Sequence, residues 1–136
     1  MKITICSSMK LALEILELQT RLEKRGHICL IPFETELWTQ GGVPDAHDPV
    51  RRKIKHDLIR KHFEKIQESD AILVLNLSQN GVPHYIGANT FLEMGFAHVL
   101  GLRIFLMHQL PDNPYIKGEA EAMRPIVLYG NLSHIT

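Results

Sequence analysis

The sequence predicts an α/β protein, a three-layer, doubly wound sheet of about five parallel strands. Three observations predict it. Short apolar runs alternate with helical apolar stripes along the whole chain. Strands separated by helices in this way pair in parallel and bury both faces. Finally, 136 residues, 45% of them hydrophobic, can build one core and leave no room for two ordinary domains. Residues 1–136 are therefore read as a single domain.

The elements follow in order. Ile3–Cys6 is the first apolar run, ended by Ser7-Ser8. From Met9 onward Leu11, Ile15, Leu18 and Leu22 recur at helical spacing, and Gly26 after Lys24-Arg25 is a helix C-terminal signal. His27–Ile31 is a second strand, stopped by Pro32, and a right-handed crossover makes it parallel to the first. The polar stretch Phe33–Asp48 carries Gly41-Gly42, Pro44 and Trp38, and a loop of that length usually covers a site. One helix is expected from about Pro49 to Glu68, with Ile54, Leu58, Ile59, Phe63 and Ile66 as its buried stripe. Ala71–Leu75 is a third strand, apolar throughout. After the loop Asn76–Ile86 come a very apolar helix (about Asn89–Leu100, closed by Gly101), a strand (Arg103–Met107), a short helix near Tyr115–Met123 and a strand at Pro125–Leu128. The economical strand order is the flavodoxin-like or Rossmann-like 2-1-3-4-5. That order places ligands beyond the carboxyl ends of strands one and three, where it reverses.

Composition excludes several functions. Fifteen basic residues balance fifteen acidic ones, so a protein that mainly coats nucleic acid or an anionic membrane is not expected. No apolar run approaches the roughly 20 residues that span a bilayer. The short run before Ser7 does not read as a signal peptide, so the expected location is cytoplasmic. Cys6 and Cys29 lie in apolar runs without metal-ligand spacing; they read as buried free thiols, and zinc is not expected. No HExxH, P-loop or GxGxxG motif is present.

The switch-point rule directs attention to Cys6–Lys10 and Asn76–Glu93. Glu93 and Arg103 are the charged side chains between Asp70 and Asp112, and Glu93 sits in the apolar run Thr90-Phe91-Leu92-Glu93-Met94-Gly95-Phe96-Ala97. Its face continues through Ala97 and Leu100, so its carboxylate lies on a buried stripe. Two readings are open: Thr90-x-x-Glu93 is a capping box, or Glu93 is a nucleophile or general base over the site. The turn Ser7-Ser8-Met9-Lys10 is either an anion cradle at a helix start or a plain serine cap. Gly87 and Ala88 would admit a ligand close to the backbone, Asn89 or Thr90 caps or contacts it, and His84 and Tyr85 line a pocket or sit on the surface. The basic run Arg51-Arg52-Lys53-Ile54-Lys55 reads as the solvated face of a packed helix, with phosphate or nucleic-acid binding as the rival. Trp38 anchors its loop or stacks on a base.

Ser69-Asp70-Ala71-Ile72-Leu73-Val74-Leu75-Asn76 followed by Gly87-Ala88-Asn89-Thr90-Phe91-Leu92-Glu93-Met94-Gly95-Phe96-Ala97 resembles the nucleoside 2-deoxyribosyltransferase superfamily, which includes 2′-deoxynucleoside 5′-monophosphate N-glycosidases. The resemblance runs over roughly residues 3 to 132. It implies that Glu93 is the nucleophile that captures C1′, and that Ser8 and Lys10, in the turn Ser7-Ser8-Met9-Lys10, meet a 5′-phosphate together with Gly87 and Asn89. Tyr85 joins the substrate-binding candidates. The chain departs from the family in lacking a glycine in the first loop and in lengthening the loop before Gly87. Where many members hold a second catalytic aspartate it reads Arg60-Lys61-His62-Phe63-Glu64, with His62 nearest that place, so the resemblance implies either that His62 takes over the catalytic acid role or that the activity differs. The implied activity is N-glycosidic cleavage of a nucleoside or nucleotide with no metal or organic cofactor, in a homodimer or larger homo-oligomer. Deoxyribosyl transfer and non-catalytic nucleotide sensing are the alternatives.

Overall fold

A computed structural model describes residues 1–39 and 47–136, apart from the side chains of Glu36 and Leu37. Among them five strands form one parallel sheet: β1 (Lys2–Cys6), β2 (Ile28–Leu30), β3 (Ala71–Val74), β4 (Arg103–Leu106) and β5 (Ile126–Val127). Their order is β2-β1-β3-β4-β5, as the sequence predicts. Ile3 and Ile5 of β1 pair with Ala71 and Leu73 of β3, a register that brings the carboxyl ends of both strands to one edge.

Side chains alternate across a strand, so each central strand feeds two cores. On one face Ile3, Ile5, Leu73 and Phe105 pack against Ile15, Leu18 and Leu22 of α1 (Ala12–Lys24) and against Leu132 and Ile135 near the C-terminus. On the other, Cys6, Ile72, Val74 and Leu106 pack against three helices that follow β2. These are α4 (Leu58–Gln67) with Ile66, α5 (Ala88–Val99) with Met94 and Ala97, and α6 (Lys117–Ala122) with Ala120. Gly26 and Gly101 end α1 and α5 at φ +87° and +73°, left-handed values that glycine adopts without strain.

Residues 49–68 do not form one helix. They form α3 (Pro49–Lys55) and α4, separated at Asp57, whose φ is +49°. The break turns the helix face. Ile54 and Ile59, expected in the buried stripe, are exposed, whereas His62 and Ile66 point inward. The polar stretch after β2 holds a short helix, α2 (Thr35–Thr39), and the Gly41-Gly42 and Pro44 part of the predicted loop lies outside the described residues. No helix among the described residues is long and apolar enough to cross a membrane.

Candidate active site

A cavity of about 400 Å³ opens at the carboxyl ends of β1 and β3. Three segments wall it. The first is the turn after β1, a 3-10 turn at Met9–Leu11 capped by Ser8, whose hydroxyl accepts from the Lys10 N–H at 3.3 Å. Ser7, Ser8, Met9 and Lys10 all reach the cavity. Ser7 is held there because its hydroxyl donates to the Leu75 carbonyl at 2.8 Å, tying the ends of β1 and β3 together.

The second wall is the start of α5. Gly87 is its N-cap residue, and neither Asn89 nor Thr90 caps it. The helix begins early enough to put Thr90 and Glu93 inside it, so the capping box does not form. The first backbone N–H groups of a helix have no partner within it, and Gly87, Ala88, Asn89 and Thr90 at the start of α5 line the cavity beside Tyr85. The Tyr85 ring lies across Gly87: a Cβ there would stand 3.2 Å from the Tyr85 hydroxyl oxygen, so a side chain would displace the ring. His84 does not reach the cavity and instead stacks on His108, ring centroids 5.4 Å apart.

The third wall follows β2 and comprises Phe33, Glu34 and Trp38 with Arg52 of α3. Here the sequence reading fails. Arg52 is not on a solvated face: it is 6% exposed, its guanidinium lies 5.1 Å from the centre of the Trp38 ring, and its Nε stands 3.2 Å from Glu34 Oε2. The signal was available only indirectly. Asp48 and Pro49 mark a helix start, and Asp48 Oδ1 does accept from the Arg51 N–H at 3.0 Å, but nothing in a run of basic residues says which one turns inward.

Glu93 lies at the cavity floor, 4% exposed. Its Oε2 is 2.7 Å from Nε2 of His62, itself 7% exposed and projecting from α4. Two bare lone pairs would repel at that distance, so the contact is a hydrogen bond; a neutral imidazole making it carries its N–H on Nε2 and leaves Nδ1 as an acceptor. Nδ1 has no hydrogen-bond partner. An ionised carboxylate taken out of water needs such a donor. Helix packing fixes the pair, since α4 and α5 meet edge-to-face at Phe63 and Phe96 with ring centroids 5.2 Å apart.

Beneath the pair, Cys6 Sγ is 3.5 Å from His62 Nε2. Burial pushes the Cys6 thiol well above its ordinary value, and the charge and hydrogen bonding of Glu93 push it the same way. Cys6 therefore stays a neutral thiol, and Cys29, also buried and free, is pushed up to about 12 by burial and by Glu23. Cys6, His62 and Glu93 offer donor atoms within 4.8 Å of one another, a grouping that local spacing in the sequence does not reveal. As arranged, the Nε2 that His62 would give a metal ion is engaged with Glu93.

Thus the structure brings Ser7, Ser8, Met9, Lys10, His62, Tyr85, Gly87, Asn89 and Glu93 to one cavity. No protein-family model matches the chain, and no curated protein does. Solved structures do match. Over 78% of this chain and 71% of the other, the fold is similar to that of a 2-deoxyribosyltransferase from Bacillus psychrosaccharolyticus, with TM-score 0.55 and 18% identity. Over 93% of this chain and 84% of the other, it is similar to the CMP N-glycosidase BcmB of Clostridium botulinum, with TM-score 0.52 and 16% identity. The likeness is one of fold.

Proposed function

We propose that this chain is an N-glycosidase of the nucleoside 2-deoxyribosyltransferase superfamily, acting as one domain on nucleoside 5′-monophosphates with Glu93 as nucleophile. The observation that carries the reading is the position of Glu93: a buried carboxylate, supported by His62, at the floor of a cavity whose rim is the turn after β1 and the start of α5.

The geometry suits the chemistry. With Oε2 engaged by His62, Oε1 forms the bond to C1′ as the C1′–N bond breaks and its electron pair leaves on the base. The base takes up a proton from water as it departs. The transition state is oxocarbenium-like, and the carboxylate stabilises it before capturing it as a glycosyl ester. Water then attacks C1′ and frees Glu93, with the unpartnered Nδ1 of His62 available to accept a proton. The hydroxyls of Ser7 and Ser8, the Lys10 ammonium and the N–H groups beside Gly87 and Asn89 hold the 5′-phosphate, and Met9 and Tyr85 close the sugar from the sides. Phosphate binding remote from C1′ is then used to align the sugar over Glu93. No metal or organic cofactor enters these steps. A second base in place of water would make the reaction a transfer, the activity named for the Bacillus neighbour. A homodimer or larger homo-oligomer is part of the proposal, and exposed Leu92 and Val99 on α5 are suited to such a contact.

Release of free base from a panel of nucleosides and their 5′-monophosphates tests the reading. The intact protein should release base, fastest from monophosphates, and Glu93→Gln should lose about a thousandfold or more in kcat. Turnover that survives unchanged in Glu93→Gln rejects the nucleophile. Nucleotide binding without any base release favours a sensing module.

A further inference from the structure

Cys6, His62 and Glu93 bring three different donor atoms to one point, and the glycosidase steps use only the last two. Thiol sulfur, imidazole nitrogen and carboxylate oxygen lie within 4.8 Å of one another, and all three residues are buried. They come from the carboxyl end of β1, from α4 and from α5. The expectation of no zinc rested on spacing along the chain, which does not register a cluster that folding assembles. Packing keeps the donors in place: Cys6 shares a core with Ile66 of α4 and with Met94 and Ala97 of α5.

The spacing suits a coordination sphere. Zinc holds thiolate sulfur at about 2.3 Å and imidazole nitrogen at about 2.0–2.1 Å, which at a tetrahedral angle sets those donors about 3.5 Å apart. Cys6 Sγ and His62 Nε2 stand 3.5 Å apart. Nitrogen and oxygen on the same ion lie about 3.4 Å apart. The 2.7 Å contact of His62 Nε2 with Glu93 Oε2 therefore opens by roughly 0.7 Å when an ion replaces its hydrogen, a change that one carboxylate torsion can supply.

Charge favours the same ion. A thiolate and a carboxylate together would leave two negative charges out of water, and a divalent cation between them makes the cluster neutral. The donor set joins soft sulfur and imidazole nitrogen to one oxygen, which suits Zn²⁺, whereas Mg²⁺ and Ca²⁺ require more oxygen ligands. His62 and Glu93 line the cavity of about 400 Å³, which gives the ion a way in and leaves its fourth position to a water molecule.

We infer that Cys6, His62 and Glu93 form a zinc site, and that zinc bound there inhibits by taking the carboxylate away from the substrate. On binding, the thiol gives its proton to water, and a neutral imidazole moves its proton from Nε2 to the unpartnered Nδ1. Sulfur, nitrogen and oxygen then each donate a lone pair to the ion. A carboxylate committed to zinc is a poor nucleophile, and the ion fills the floor over which C1′ would sit. The site stands on its own geometry; the inhibition rests on the nucleophile reading above.

Binding and turnover are therefore read separately. Metal-free protein is titrated with Co²⁺, whose thiolate complexes absorb in the near ultraviolet, and then with Zn²⁺. One equivalent of Co²⁺ should produce the thiolate band, and Zn²⁺ should displace it. Cys6→Ser should abolish the band, Glu93→Gln should weaken Zn²⁺ binding at least about tenfold, and Cys29→Ser should change neither. If circular dichroism shows that Cys6→Ser unfolds, the contrast between Glu93→Gln and Cys29→Ser decides. In parallel, Zn²⁺ should suppress base release by the intact protein, and Cys6→Ser should raise the half-suppressing concentration at least about tenfold. Absence of the band, its survival in Cys6→Ser, its loss in Cys29→Ser, or unchanged zinc affinity in Glu93→Gln overturns the site. The band together with base release that zinc leaves untouched overturns the inhibition. The band in a metal-free preparation that never releases base upholds the site and overturns the glycosidase reading instead.

Discussion

Cys6 and Cys29 illustrate how a single side chain can couple the fold to pH. In the unfolded chain each thiol ionises near its ordinary value of 9.0, whereas in the folded protein burial raises both, Cys29 to about 12. A raised folded value means that the stabilisation is complete below the unfolded value and is lost as pH climbs toward the folded one. The urea midpoint should therefore be insensitive to these groups below about pH 8.5 and fall from about pH 9 upward, with a shallower fall in Cys29→Ala. An identical slope in the variant refutes the assignment for that thiol. Other residues differ in how much the sequence disclosed. Glu93 was legible because a lone acid on an apolar stripe has few ways to be satisfied. His62 was visible only as the nearest substitute for a missing aspartate; its contact with Glu93 joins residues 31 positions apart, which no local pattern encodes. Arg52 was misread because composition assigns a basic run to solvent as a group, while packing acts on one residue at a time.

At the scale of elements, α3 sets the position of Arg52, and α3 begins on the cap from Asp48. Asp48→Ala removes one satisfied N–H and should cost about 1 kcal/mol in urea denaturation. For the function proposed above, it should also raise KM for a nucleotide substrate more than it lowers kcat, because it loosens the wall after β2 and leaves Glu93 in place. An unchanged KM would show that α3 holds Arg52 without its cap. The strands and α1 were readable from periodicity, since alternation and helical spacing are imposed by the backbone itself. The division between α3 and α4 was not. Asp57 adopts φ +49° without the glycine or proline that usually announces a break, and its carboxylate is instead paired with Arg60 at 2.8 Å. That pair is exposed and contributes little by itself, so the turn is imposed by what the two helices pack against.

For the molecule as a whole, strand order followed from the alternation of elements, and the location of the cavity followed from strand order. The residue types at the switch point then limited the chemistry before any distance was known. What strand order does not supply is the third wall. It depends on how the segment after β2 folds back, and the sequence there offers one tryptophan and a charge run without a periodic signature.

The meeting of Phe63 with Phe96 bears on how the proposed catalyst would fail. Its acid and its imidazole ride on two packed helices, so the distance between them is inherited from the interior and not from a flexible segment. Heat should leave that spacing intact until the interior itself gives way. Residual activity after brief incubations at rising temperature should consequently track the melting curve followed by circular dichroism, within about 2–3 °C. Loss of turnover well below the melting point would locate the weak link in the surface segments that clasp the substrate.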